Sequence, residues 1–508
     1  MTDHREGPHT IDTDVAIVGG GLAGITTAIG LTLEGIDVTL IERDPRLGGR
    51  AQSWTDPKTG DPVHIGPHIF LSVYPNMLKL LEVLGTDDRI IWQDDHFLTL
   101  VDGQRKLETS QWPLPAPFHF ISAFLFDDRY SWIDKFSNGL VTLYAMQMQE
   151  EDVLRLDGMN AYAFLRKMGV TKDFIRDFWS FACMAIMNLP IERCSAGALM
   201  RFYKRFIGHS GFSFGFPDGG LGDIYAPKAG RMLKRHGQRV MLQTEVVEFI
   251  TDGDAVEGVR LDDGTRVNAS HTVSALPPQL LRRLAPREWI DCHDCFYDLV
   301  HFQPCPYVSS FIWFDRKLTD LKMWARVHCP NDLNCDFYDL SNIHRGWEQR
   351  PSLITSNIIY SQRAEGLSDE EIIERTVEEI AEFLPEASMQ RVDHWVVNRI
   401  PMAIHCPYPG TERCRPDIDA PVDGLWLAGD WTKTELPASM ESACMSGWMV
   451  AERILEQTAQ TKRRLAVEHP GVEGLTGLLD RTGKLAPHRN VRRLVRHARS
   501  RVEEGLAG

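Results

Sequence analysis

The sequence predicts an α/β fold in which a Rossmann-like dinucleotide-binding domain is interleaved with a second domain of antiparallel sheet plus helices. Three observations predict it. Residues 12–50 spell a complete βαβ unit around a glycine-rich turn. A second glycine–acid pair, Gly429-Asp430, closes another apolar run far downstream. Between the two, short strand-like runs give way to long helical patterns and then return.

The βαβ unit comes first. Val15 to Val18 is an uncharged apolar run, the pattern of a strand buried in a parallel sheet. It leads into Gly19, Gly21 and Gly24 in a G-x-G-x-x-G spacing, then a helical pattern to Leu33, then a second strand from Asp37 to Ile41 that ends on Glu42. Gly19 permits the tight turn, Gly21 lets the backbone approach a pyrophosphate, and Gly24 lets helix and strand pack closely. The first helical turn, with Leu22 and Ala23, offers free N–H groups and the positive end of the helix dipole to phosphates. Glu42, with Arg43 beside it, is placed to accept hydrogen bonds from a ribose. Next comes Gly48-Gly49-Arg50. A glycine pair and an arginine just past the ribose-binding acid would wrap phosphates and admit a flat ring system, which moves the expectation from a nicotinamide to a flavin, FAD.

Bulk properties narrow the class. The 508 residues are 43% hydrophobic and 25% charged, with a net charge of −15. This is an ordinary globular composition, and its acidity argues against nucleic acid as a partner. Ten scattered cysteines suit a reducing compartment. Cys292 and Cys295 form one C-x-x-C, with no second pair at a zinc-site spacing, so no metal is expected. The N-terminus is neither a signal nor a transit peptide. Residues 15–33 carry no charge and could mimic a membrane span, but their glycines read as strand, turn and helix.

The remaining elements follow in order. Residues 12–84 form the first part of the FAD-binding domain. They include the run from Ile65 to Phe70, read as a strand carrying Gly66, Pro67 and His68 towards the flavin, and a helix after Tyr74-Pro75-Asn76. Residues 85–222 form a helical, substrate- and membrane-facing domain. It has a Pro-rich loop at Trp112–Phe118, apolar helices over 118–126 and 136–148, two helices around Pro190 within 161–207, and a Gly/Phe-rich loop at 211–222. Residues 223–290 return to the FAD-binding domain: a helix at Pro227–His236, strands at Arg239–Ile250 and Ala255–Leu261, a turn at Asp262-Asp263-Gly264, and a strand at His271–Ala275. There Val246 sits in a segment expected near the adenine. Residues 291–400 read as a substrate-domain sheet with one amphipathic helix, capped by Ser368 and Glu371. Residues 401–455 complete the FAD-binding domain. Gly429 and Asp430 are delivered by a buried strand, and a helix near Ser439 and Met440 turns its positive end to the reduced flavin. Residues 456–508 form a basic tail: from 460 on, 11 Lys and Arg stand against 5 Asp and Glu, a net +6. An amphipathic helix is expected around Val491–Val502, suited to an anionic membrane surface.

These motifs resemble the flavin-containing amine oxidase superfamily, and within it the plant and cyanobacterial phytoene and zeta-carotene desaturases, over residues 12 to about 455. The carriers are VAIVGGGLAG with VTLIERDPRLGGR, then GPHIFLSVYPN, WPLPAPFHFI, LMRFYKRF and LAGDWTKTELPASMESACMSG. The resemblance implies FAD, a hydrophobic isoprenoid substrate, a channel opening to the bilayer, and reoxidation by a quinone. It also implies a peripheral position on the cytoplasmic face of the membrane, with homo-oligomers possible. It places Arg201 near the flavin and the quinone; with His68 it is the expected catalytic residue, and Tyr74 would line the cavity. Pro67 stands where the family has Leu, and Ser442 where it has Gly. The closing motif is shared with hydroxysqualene dehydroxylases, so reductive dehydroxylation stays open, as do amine oxidation, which wants a lysine by the flavin and finds Lys433 only near the closing motif, and a non-catalytic flavin-bound lipid carrier.

Overall fold

The computed structural model describes residues 9–93, 98–121, 130–253, 255–327, 329–458 and 463–481. The chain divides into two compact units: Met1–Ile91, Phe216–Gln303 and Cys414–His469 form the first, and Trp92–Gly215, Pro304–Arg413 and Pro470–Gly508 form the second. The expected changeovers at 291 and 401 therefore fall at 304 and 414.

The first unit is an α/β sandwich built from β1 (Thr10–Val18), α1 (Leu22–Leu33), β2 (Val38–Ile41), α2 (Pro75–Leu84), α3 (Ala226–Arg235), β3 (Arg239–Met241), β4 (Val246–Asp252), β5 (Ala255–Leu261), β6 (Arg266–Ser274), β7 (Leu425–Leu427) and α4 (Met440–Thr458). Its sheet runs β3-β2-β1-β6-β5-β4, and β7 pairs with β6 beyond β5. β1 lies parallel to both β2 and β6, with Val15 opposite Val38 and His271. β6 pairs antiparallel with β5 through Arg266–Asn268 and parallel with β7 through Thr272–Ser274. Val15, Ala16 and Ile17 are fully buried, as a strand covered on both faces requires. The uncharged stretch that could mimic a membrane span is thus a strand, a turn and a 12-residue helix. No described helix is long and apolar enough to cross a membrane. Helix α1 is small and apolar all round because α4 crosses it closely: a Cβ on Gly447 would sit 2.5 Å from the Ala23 carbonyl oxygen.

The second unit holds a seven-stranded sheet in the order Val392–His405, Pro304–Phe314, Leu353–Ile358, Asp336–Asp339, Met323–Arg326, Leu98–Asp102, Arg105–Thr109. All its pairings are antiparallel except Ala325 beside Leu100. The helix Asp369–Phe383 carries the expected capping box: Ser368 N donates to Glu371 and Glu371 N to Ser368 Oγ. A separate apolar core joins the helices between 139 and 208, with Trp179, Phe174 and Met184 almost completely buried.

The structure corrects several expected elements. Residues 65–69 are not a strand; only Phe70–Leu71 is, because Gly66 and Pro67 turn the chain after Pro62–His64. The region from 85 is not uniformly helical: Leu98–Asp102 and Arg105–Thr109 form a hairpin that completes a sheet begun over 200 residues later. Residues 161–207 hold more than two helical segments. Ala161–Lys167 ends at Gly169, with φ 91°; a second run, including two π turns, continues to left-handed Asn188; Ala196–Gly208 follows. The loop at 211–222 contains the strand Phe214–Pro217. The strand expected over 239–250 is broken at Gln243, whose φ is 53°. The apolar run within 122–126 and the basic helix around 491–502 lie outside the described residues.

Candidate cofactor-binding site

The carboxyl ends of β1, β2, β6 and β7 meet at one edge of the first unit's sheet, where ligands bind in open α/β folds. Gly19 leaves β1 at φ 110°, and a Cβ on Gly24 would lie 2.0 Å from the Gly19 carbonyl oxygen. No side chain can stand there without parting helix and strand. Gly20 N donates to Glu42 Oε2 at 2.6 Å, and Asp44 N donates to Glu42 Oε1 at 2.9 Å. Burial pushes the Glu42 carboxyl up, and those two amides oppose it. The acid at the end of β2 therefore reaches the glycine turn itself, with Arg43 exposed at its side.

The second glycine motif docks on the first. Gly48 N donates to Gly20 O at 2.9 Å, and the buried Tyr225 hydroxyl donates to Gly48 O and Ala51 O. A Cβ on Gly49 would lie 3.0 Å from Gly21 Cα, whereas a Cβ on Gly21 would find Gly49 Cα as its nearest contact, at 4.0 Å. Gly21 and Gly49 thus face each other across a gap that side chains would fill. Such a cradle fits a pyrophosphate brought against bare backbone and the unpaired first-turn amides of α1. Thr244 N donates to Glu42 O, and Gln243 N to Asp44 O, so the segment opening on Val246 runs beside Glu42.

The pair that closes the site spans the chain. Arg50 Nη2 donates to Asp430 Oδ1 at 2.7 Å, with Asp430 buried and Arg50 one-third exposed. Gly429 takes φ 151°, and its N–H donates to Ser446 Oγ in α4. Ser439 Oγ accepts from Ser442 N, capping the first turn of α4 at Met440. His68 Nδ1 lies 2.7 Å from Gly66 O. A carbonyl only accepts, so Nδ1 carries the proton. Burial lowers the imidazole pKa, the Gly66 bond opposes, and the nearby Arg50 charge lowers it further, so the site favours the neutral ring. The first unit therefore brings together Gly19, Gly21, Leu22, Ala23, Gly24, Glu42, Gly49, Arg50, Gly429 and Asp430, with His68 beside Arg50. Lys433 is half exposed, 3.7 Å from Asp417.

Arg201 belongs to the second unit. It is buried on the helix Ala196–Gly208, where its guanidinium binds Glu150 and Glu412. Burial alone would lower its pKa, but the two carboxylates together push it up.

Two residues of this machinery, Glu441 and Arg415, carried no sequence signal of their own, and the bonds of a third, Ser442, were not legible. Glu441, in the first turn of α4, accepts from Asn76 N and Met77 N, orphan amides at the start of α2, and from the Asn76 side-chain Nδ2. Ser442 is fully buried; its hydroxyl lies 2.6 Å from Thr434 Oγ1 and donates to Asp430 O at 3.3 Å. Arg415 is buried against the carbonyls of the turn after Asp430. Only the Asn76 and Ser442 motifs were visible as short matches; an isolated buried arginine has no periodicity to betray it.

Comparison with known proteins agrees with this geometry. The profile of the family described as flavin containing amine oxidoreductase matches residues 22–455. A 15-cis-phytoene desaturase of Synechococcus elongatus is 28% identical over 467 residues, covering 89% of this chain and 97% of that protein. The chloroplastic/chromoplastic 15-cis-phytoene desaturase of Narcissus pseudonarcissus is 30% identical over 479 residues, covering 89% of this chain and 81% of that protein. Among solved structures, a triple mutant of putrescine oxidase aligns with a TM-score of 0.68 at 18% identity, covering 88% of this chain and 100% of that one, a likeness of fold.

Proposed function

This chain belongs to the flavin-containing amine oxidoreductase family and is an FAD-dependent oxidoreductase, and from that premise we propose that it desaturates a long hydrophobic isoprenoid, a carotenoid precursor such as phytoene or zeta-carotene, with a quinone as electron acceptor. What carries the proposal is the similarity to phytoene desaturases along nearly the whole chain. Desaturation takes two hydrogens from adjacent carbons, one as hydride and one as proton, and leaves a double bond. FAD supplies the hydride acceptor when bound, and two electrons and two protons convert the quinone to its quinol. The chain's own part is position and exclusion of water. Gly19 to Gly24 and Gly48 to Arg50 hold the phosphate side, Glu42 the ribose side, and Arg50 with Asp430 fixes the closing turn. His68 stands beside Arg50, in surroundings that favour its neutral form.

The test is extraction of bound lipid from the holoenzyme, then anaerobic mixing with phytoene, zeta-carotene and hydroxysqualene. Bleaching of the flavin band by a carotene precursor is the expected result. Oxidation of the pre-reduced flavin by hydroxysqualene, with no bleaching by either carotene precursor, overturns the proposal.

A substrate of this kind is delivered from a bilayer, and the second unit offers a surface suited to one. Trp132, Ile133 and Phe136 share one face of the short helix Trp132–Ser137 and are 61%, 76% and 76% exposed. Trp112, Leu114 and Phe118 are also exposed on the Pro-rich loop. Leu475 N donates to Ala116 O, which sets the exposed Leu475 and Leu478 beside that loop. Exposed aromatic and aliphatic side chains on this helix and on this loop each favour a peripheral seat on a membrane, here the cytoplasmic face. Combined Trp132→Ser, Ile133→Ser and Phe136→Ser substitution is expected to weaken co-sedimentation with anionic vesicles by roughly 150-fold or more, from about 1–2 kcal/mol for each of the three side chains removed from lipid. Unchanged co-sedimentation would exclude this surface.

A further inference from the structure

We infer that Arg415 is a positioning residue for FAD, acting through the turn that joins Gly429-Asp430 to α4. The inference uses the family's FAD and holds whichever substrate is oxidised.

Arg415 is 6% exposed. Its Nε donates to Thr432 O at 3.0 Å, Nη2 to Thr432 O at 2.7 Å and Asp430 O at 2.9 Å, and Nη1 to Leu436 O at 2.6 Å. Nη2 also lies 3.4 Å from Thr434 Oγ1. One planar guanidinium therefore gathers three carbonyls spread over residues 430–436. An ammonium, a single point charge on a flexible stem, cannot reproduce that fork.

The consequence falls on Asp430. Its carbonyl is held by Arg415 and its carboxylate by Arg50, so two arginines fix the residue at both ends. Because the peptide is planar and trans, a carbonyl turned to Arg415 turns the next N–H the opposite way. Ser442 closes the same knot: its hydroxyl reaches Asp430 O and Thr434 Oγ1 from the first turn of α4. The serine that departs from the family's glycine is thereby built into the turn. Arg415 sets the approach of α4's positive end and the pose of Asp430, and it adds a fixed buried charge of its own.

Two variants separate these contributions. Arg415→Lys keeps the charge and loses the fork; Arg415→Met loses both. Apoprotein is titrated with FAD by fluorescence quenching, the flavin midpoint potential is measured on reconstituted protein, and heat unfolding of the apoprotein is followed by circular dichroism. FAD affinity is expected to fall roughly tenfold or more in both variants. The midpoint potential is expected to fall only in Arg415→Met, since losing a positive charge disfavours added electrons. FAD affinity and potential as in the wild type in Arg415→Lys and Arg415→Met overturn the inference. So does a fall in affinity with an unmoved potential in Arg415→Met, which marks a merely structural arginine. Should Arg415→Met fail to fold, Arg415→Lys and Thr434→Val carry the test: wild-type affinity in both overturns it, and weakened affinity with wild-type unfolding of the apoprotein supports it.

Discussion

Replacing Gly24 with alanine is expected to yield protein without flavin. The new methyl carbon would stand 2.0 Å from the Gly19 carbonyl oxygen and 3.2 Å from Ala275 Cβ. The first of these neighbours is backbone in the turn itself and has no rotamer to retreat into. Relief must come from moving α1 off β1, which opens the glycine turn and tilts the amides meant for phosphate. Overpacking of this kind costs about 1–3 kcal/mol or more, and the flavin-to-protein absorbance ratio should fall to about a tenth of the wild-type value or below. Two comparisons locate the cause. Gly35→Ala, with φ 80° and open space around its Cβ, should cost only about 1 kcal/mol and keep its flavin. Gly21→Ala meets nothing in the protein closer than 4.0 Å, so its apoprotein should melt as the wild type does and still bind FAD poorly. Full flavin content in Gly21→Ala would contradict the cradle.

The second large effect concerns Arg201. Arg201→Met removes the guanidinium that pairs with the buried Glu412 and the partly buried Glu150. A buried charge left without its partner costs about 3–5 kcal/mol. The second unit should therefore melt far earlier, and calorimetry or circular dichroism would show it. Adding Glu412→Gln to the same chain removes the buried carboxylate that lost its arginine and should recover a good part of the loss. Normal melting of Arg201→Met, with loss of quinone-dependent turnover alone, would instead favour the acceptor-side role that the family resemblance implies.

What could be read from the sequence was what is local. β1, α1 and β2 fall within 32 residues, and their buried runs, glycine spacing and terminal acid all state the same fold. The glycines at 48 and 49 and the pair at 429 and 430 could each be assigned to the cofactor because their backbone needs leave a visible mark. The bond between Arg50 and Asp430 could not, since 380 residues separate them and either has an ordinary surface alternative. The hairpin Leu98–Thr109 escaped for a similar reason: it gains its parallel neighbour only from Met323–Arg326. Glu441 caps another helix, a pairing across 365 residues that no local pattern marks, and Arg415 had no pattern at all. The long aromatic helices were recognised as apolar, but their breaks at Gly169 and Asn188 depend on backbone shape more than on hydropathy.

The parallel strands that frame the glycine turn are delivered in three instalments, β2 with β1, then β6, then β7 with α4. On a ribosome adding roughly 5–20 residues per second, the fingerprint emerges first and waits on the order of tens of seconds for Asp430 and the helix behind it. Until β6 emerges β1 has a neighbour on one side only, and until α4 emerges α1 lacks the surface it crosses. The first unit should thus be among the last parts of the nascent chain to become protease-resistant, and FAD should protect full-length chains but not chains stalled before residue 414.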